Sequence, residues 1–251
     1  MPLANQVAVI TGASSGIGWA LAEELALQGC RLGLIARRQK LLDDLAGKLR
    51  GTGTAVEVAA ADVAERDELL QAFALLRNKL GPVDLLIANA GVNPPTKLEP
   101  FDAESHLHLF RVNLFGVIVS IEAVLPDMLV RKTGHIAAVS SLGGDRGIPP
   151  FGAYCASKAA LNVYMDSLRV QVRGRGVTVT TLCPGFVRTP MVDSVPRPKR
   201  FMLEADEAAR RMVRAIERGT AVYRFPTVPS LFMRLVRVLP DWVIARGMEE
   251  R

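Results

Sequence analysis

The sequence predicts an α/β fold: a doubly wound, Rossmann-like parallel sheet of seven strands, with helices on both faces and a C-terminal helical extension. Three observations carry this. Short β-branched runs alternate with longer helical stretches, starting with "VAVI" at Val7–Ile10. The runs are continuously apolar rather than alternating, as strands covered on both faces are. Hydrophobic residues make up 49% of the chain and aromatics only 6%, so the core is built from Val, Ile, Leu and Ala. With 251 residues and no internal repeat or composition break, the chain reads as one domain.

Taken in order, "VAVI" leads to a helix through "WALAEELALQG", where Gly29 is the stop signal. "RLGLIA" (Arg31–Ala36) leads to "QKLLDDLAGKLRG". "AVEVAAADV" precedes a helix with Leu69, Leu70, Phe73, Leu76 and Leu80 at helical spacing. "VDLLIANAG" is the fourth strand, followed by a long helical region from about Asp102 to Leu129. "HIAAVSS" is the fifth strand, "AYCASKAALNVYMDSLRVQVRG" a helix, and "VTVTTLCPG" the sixth strand. "EADEAARRMVRAIERG" and a short seventh strand, "AVYRF", complete a domain over residues 1–225, with a substrate loop at about 186–203. Residues 226–251 read as a helical cap on that domain.

Net charge is +6 and lies in the tail: residues 197–251 hold 12 Lys/Arg against 7 Asp/Glu, and the rest is nearly neutral. Basic and aromatic residues are not interleaved, so no nucleic acid is expected as a partner. Cys30, Cys155 and Cys183 are scattered, without disulfide or metal spacing, which points to a reducing cytoplasm. The uncharged "MPLANQ" runs directly into a strand and does not read as a signal peptide. No run of about 18 apolar residues indicates a transmembrane helix. His106, His108 and His135 lack ligand spacing and read as surface or strand-end residues, and no metal is expected.

Two motifs carry chemistry. In "TGASSGIG", Gly12, Gly16 and Gly18 sit where a strand turns into a helix, the context in which backbone N–H groups and a helix N-terminus approach a pyrophosphate. In "YCASK", Tyr154 and Lys158 are four residues apart, on one helix face. A cation near a phenol favours the phenolate, which a tyrosine needs to act as an acid or base at cellular pH.

The Gly-x3-Gly-x-Gly spacing resembles that of the short-chain dehydrogenase/reductase family, and the resemblance extends from about residue 5 to about residue 225. Asp62 matches an adenine-contacting aspartate, "NAG" (Asn89–Gly91) the motif closing the fourth strand, and Asn113 a helix asparagine. Ser141 precedes Tyr154 by thirteen residues, as the family's catalytic serine does, with Ser140 the competing choice. "CPGFVRT" resembles the loop after the sixth strand, with Thr189 near the nicotinamide carboxamide. The resemblance implies catalysis by Asn113, Ser141, Tyr154 and Lys158. It implies cofactor contacts from Gly12, Ser14, Ser15, Gly16, Ile17, Gly18, Asp62, Val63, Asn89, Ala90, Gly91, Tyr154, Lys158, Pro184, Gly185, Val187 and Thr189. Arg37 and Arg38 stand where members that use NAD have an aspartate, and two guanidiniums suit a 2′-phosphate, so the cofactor is read as NADP(H).

The implied reaction is hydride transfer between nicotinamide and a carbonyl or secondary alcohol. Tyr154 protonates the alkoxide, Lys158 supports Tyr154 and the nicotinamide ribose, Ser141 holds the carbonyl oxygen, and Asn113 orders a water linking Lys158 to solvent. Phe186, Met191, Phe201 and Met202 point to an apolar substrate, and Asp145 and Arg146 read as solvated loop residues. A catalytically silent nucleotide-binding or scaffold protein on the same fold is the alternative. A Rossmann-like methyltransferase would not account for Ser141, Tyr154 and Lys158.

The tail departs from family members that tetramerise, and a dimer is favoured. Leu231, Phe232, Leu235, Val238 and Leu239 share one helical face, with a second amphipathic piece around Trp242, Val243 and Ile244. Packing onto the tail's own domain, with or without dimerisation, is the leading expectation. The roles in view are a lid, a dimer contact or peripheral membrane contact.

Overall fold

The computed structural model describes residues 3–96, 98–191 and 202–242. Seven parallel strands lie in the order β3-β2-β1-β4-β5-β6-β7: β1 Val7–Thr11, β2 Arg31–Ala36, β3 Val56–Ala60, β4 Leu85–Ala88, β5 Gly134–Val139, β6 Val177–Pro184 and β7 Val222–Phe225. The order reverses between β1 and β4, which opens a crevice at their C-terminal ends. In open α/β sheets that is where ligands bind.

Neighbouring residues on a strand feed opposite layers. Ile10, Leu34 and Ile87 pack with α1 (Gly16–Leu27), α2 (Gln39–Arg50) and α7 (Ala205–Glu217). Val9, Ile35 and Leu86 pack with α3 (Arg66–Leu80), α5 (Gly116–Arg131) and α6 (Gly152–Gln171). Burial on both faces explains the unbroken apolar runs.

The helical region expected from about Asp102 to Leu129 is α4 (Ala103–Phe110), one π turn (Arg111–Phe115) and α5. The Asp102 side chain caps α4 by accepting from Ser105 N at 3.1 Å. Residues 103–131 together are long and apolar enough to match a membrane span by length and composition, although polar residues interrupt every apolar run within them. Val117, Ile121, Val124 and Met128 nevertheless pack into the layer beneath α5, and Glu122 pairs with Arg66, as in the core helix of a globular domain.

His135 has the expected place near a strand end, at the start of β5, but is not at the surface. It is 3% exposed in β5, and its Nε2 lies 2.9 Å from Thr180 Oγ1. Burial, helped by the N-terminal charge, pulls it down to about 4, so it is neutral at physiological pH.

The last described helix, α8 (Thr227–Val236), follows β7 and packs on the 3₁₀ turn Leu142–Asp145. The face it turns to the domain is the small and polar one. Leu231, Phe232 and Leu235 are 59–62% exposed, whereas Ser230 is buried. Val243 and Ile244 lie outside the described residues.

Candidate active site

The crevice is built around the turn from β1 into α1. Gly12 has φ +69°, and a Cβ there would lie 2.7 Å from Ala90 Cα. A Cβ on Gly18 would lie 2.3 Å from the Gly12 carbonyl oxygen. Only hydrogen fits at either point, so the turn is held against the end of β4. Thr11 Oγ1 fastens the two by accepting from Asn89 N and Ala90 N at 3.1 and 3.2 Å. The Asn89 side chain donates to the carbonyls of Thr11 and Gly12. Thr11 was not singled out in the sequence, although its place at the start of "TGASSG" was the available signal.

Ser15 precedes α1 without a side-chain capping bond, and no acidic residue occupies the first turn. Those N–H groups therefore point, without a local carboxylate, at the space where a diphosphate would sit. Arg38 donates to Ser14 Oγ at 2.9 Å and Ser15 Oγ at 2.7 Å, bringing the end of β2 against the turn. Arg37 is half exposed and faces Asp62 at 3.4 Å. Asp62 Oδ1 also accepts from Ala64 N at 3.0 Å. Val63 packs where Gly116 lets α5 approach, and Ile17 packs into the α1 layer. From the other side, the loop after β6 folds back: a Cβ on Gly16 would meet the Thr189 methyl at 2.9 Å. Gly185 N donates to the Phe225 carbonyl at 2.7 Å, and Val187 is buried, so Pro184 to Thr189 form a fixed wall. The residues present fit a dinucleotide: a glycine cradle, an uncapped helix start and two guanidiniums at the end of β2.

Across the crevice, Ser141, Tyr154 and Lys158 converge. Lys158 is 3% exposed and donates from Nζ to the Val139 carbonyl at 2.8 Å. Its Nζ lies 5.8 Å from the centre of the Tyr154 ring. Burial lowers Lys158 to about 8, opposed by the Cys183 side chain, so it is still mostly an ammonium at neutral pH. Ser141 Oγ accepts from Gly143 N at 3.0 Å, starting the 3₁₀ turn. As an acceptor in that bond, the hydroxyl keeps its proton for another partner. A Cβ on Gly143 would lie 3.4 Å from Ser141 Oγ and 3.6 Å from Tyr154 Cε1, so both side chains flank one small gap. Ser140 turns the opposite way: it is buried and donates to the Lys158 carbonyl at 3.3 Å.

Asn113 sits in the π turn, a local expansion often found at functional sites. Its Oδ1 accepts from Val92 N at 2.8 Å, and its Nδ2 donates to the Val92 carbonyl and to Ser157 Oγ. Ser157 in turn donates to the Tyr154 carbonyl at 2.8 Å, a link absent from the sequence reading. Asn113 thus ties the segment after β4 to the helix carrying Tyr154. Gly91 lies between it and Lys158: a Cβ there would be 3.3 Å from Asn113 Oδ1 and 3.8 Å from Lys158 Nζ.

Two loop residues depart from expectation. Asp145 is mostly covered rather than solvated, its side chain 9% exposed and 3.6 Å from Arg224 on β7, and its buried Oδ2 has no hydrogen-bond partner among the described residues. Arg146 pairs with Asp241 and donates to the Arg237 carbonyl at 3.2 Å. Both tie the turn after Ser141 to the C-terminal edge, across sequence separations that no local pattern signals. Cys155 is buried, which raises its thiol pKa and leaves it a packing residue. Phe186 and Met191 are partly exposed, and Phe201 lies outside the described residues.

The short chain dehydrogenase family matches residues 6–200. An uncharacterized oxidoreductase of Myxococcus xanthus is 38% identical over 239 residues, covering 95% of this chain and 94% of the relative. A short-chain dehydrogenase/reductase from Burkholderia phymatum, solved with NAD, superposes with a TM-score of 0.87 at 28% identity, covering 94% of each chain. An actinorhodin polyketide ketoreductase solved with NADPH superposes with a TM-score of 0.80 at 29% identity, covering 88% of this chain and 95% of the other.

Proposed function

The chain belongs to the short-chain dehydrogenase family of oxidoreductases, and from that premise we propose that it uses NADP(H) to interconvert a carbonyl and a secondary alcohol on a predominantly apolar small molecule. The observation that carries the reaction type is that Ser141 and Tyr154 flank one gap while the buried Lys158 ammonium lies 5.8 Å from the Tyr154 ring. NADP(H), when bound, supplies or accepts the hydride. The hydroxyl of Ser141 donates to the substrate oxygen and fixes its position. Tyr154 gives its phenolic proton to that oxygen as negative charge develops, or removes it in the oxidative direction. The Lys158 ammonium favours the phenolate left behind, and Asn113 shapes a route for reprotonation from solvent.

Arg37 and Arg38 support the phosphorylated cofactor: they stand at the end of β2, and the only carboxylate paired with Arg37 among the described residues is Asp62. The test is titration of NADPH and NADH into the wild type and Arg37→Asp. The wild type should prefer NADPH by about tenfold or more, the scale of a charged hydrogen bond, and the variant should lose or reverse that preference. Equal affinities in the wild type would refute the NADP reading. A panel of carbonyls and alcohols followed at the nicotinamide absorbance then identifies the substrate class and direction. The three free cysteines support a cytoplasmic setting for it.

A further inference from the structure

Helix α8 is amphipathic with its polarity reversed. Ser230 is buried against β7, and Arg234, one turn on, is exposed at the rim of a cleft of about 270 Å³ that Arg224 and Leu231 also line. Val228, Leu231, Phe232 and Leu235 point outward and are 59–62% exposed, and Trp242 is 62% exposed beyond the helix. The contiguous apolar face is in water, where it is least stable.

Charge narrows what can cover it. Residues 226–240 contain no Asp or Glu. Arg234 and Arg237 form no ion pair among the described residues, and Asp241 is already paired with Arg146. A second copy related by a twofold axis would bring these guanidiniums towards one another without carboxylates to offset them. The complementary surface is apolar beneath an anionic rim. The ten residues of α8 are too few to span a bilayer, which takes about 20.

We propose that α8 docks this enzyme on an anionic lipid bilayer, lying in the headgroup plane. Leu231, Phe232 and Leu235 enter the acyl boundary, Arg234 and Arg237 meet lipid phosphates, and Trp242 sits at the interface. The docked segment is joined to the catalytic end, because Arg146, just after the 3₁₀ turn begun by Ser141, holds Arg237 and Asp241.

The test is co-sedimentation of the full chain with vesicles of phosphatidylcholine alone and of phosphatidylcholine mixed with phosphatidylglycerol. Binding should require the anionic lipid and weaken with salt. Arg234→Gln/Arg237→Gln should bind about thirtyfold more weakly, the effect of losing two surface cations. Leu231→Ser/Phe232→Ser should abolish binding while keeping the wild-type melting temperature. In a Trp19→Phe background, emission from Trp242 should shift to the blue on vesicle addition. No binding to the mixed vesicles, or binding unchanged in both variants, overturns the proposal. A solution dimer that Leu231→Ser/Phe232→Ser dissociates would also overturn it, by assigning the face to a second copy. Cofactor titration in solution, without lipid, reads the proposed chemistry independently of these outcomes.

Discussion

Phe225 and Phe232 are seven residues apart and occupy opposite environments: 2% exposed at the end of β7 and 62% exposed on α8. Across that boundary the usual arrangement inverts. Behind β7, buried polar groups such as Ser140, on the Lys158 carbonyl, and Asn113, on Val92, have partners. Beyond it, small and polar residues face the protein and large apolar ones face water. Apolar content therefore identifies a surface that needs covering, but not whether the domain itself covers it. The chemistry belongs to the first region; the second has the features of a contact surface.

Truncation sharpens this contrast most strongly. Phe225→Ala should cost about 3–5 kcal/mol of stability, because it empties a packed core site, whereas Phe232→Ala should stay within about 0.5 kcal/mol. Urea unfolding of both variants measures the gap. Similar losses would mean that α8 packs inward in solution.

A second pair divides the two adjacent serines by role. Ser141→Ala should lower turnover by about a hundredfold, the scale of losing one oxyanion donor. Ser140→Ala should instead cost about 1 kcal/mol of stability, for one buried hydrogen bond, with turnover within a few-fold of wild type. Steady-state rates and melting curves on the same preparations decide it, and reversed phenotypes would exchange the assignments.

The smallest effect is in pH dependence. Lys158 is lowered in the folded protein to about 8 from 10.5, so between those values the unfolded chain holds more protons on this residue. Its contribution to stability therefore rises with pH across that window and is least favourable below about pH 8. Unfolding midpoints of the cofactor-free wild type, relative to Lys158→Met, should improve as pH rises from 8 to 10.5. A flat difference would show that Lys158 is better solvated than its 3% exposure implies.

Much of this architecture was legible because parallel strands buried on both faces read as plain apolar runs, and because the glycine turn is constrained by backbone contact. The Tyr154–Lys158 pair was legible from helical spacing only when read together with the surrounding motifs and their resemblance to a family. His135 was not: in a strand covered on both sides, neither direction is marked as solvent. The direction of α8 was hidden for a related reason, since periodicity defines a face without saying where it points. The Asp145–Arg224 and Arg146–Asp241 pairs join residues 79 and 95 positions apart, beyond the reach of any local signal.

In the proposed chemistry Tyr154 moves the proton while the glycine cradle and the arginines hold the cofactor. Its most direct test is Tyr154→Phe, followed by NADPH titration and by NADPH consumption on a carbonyl that the wild type turns over. NADPH affinity should stay within a few-fold of wild type while turnover falls at least about a hundredfold, the scale of general acid catalysis. Turnover within a few-fold of wild type would contradict the account.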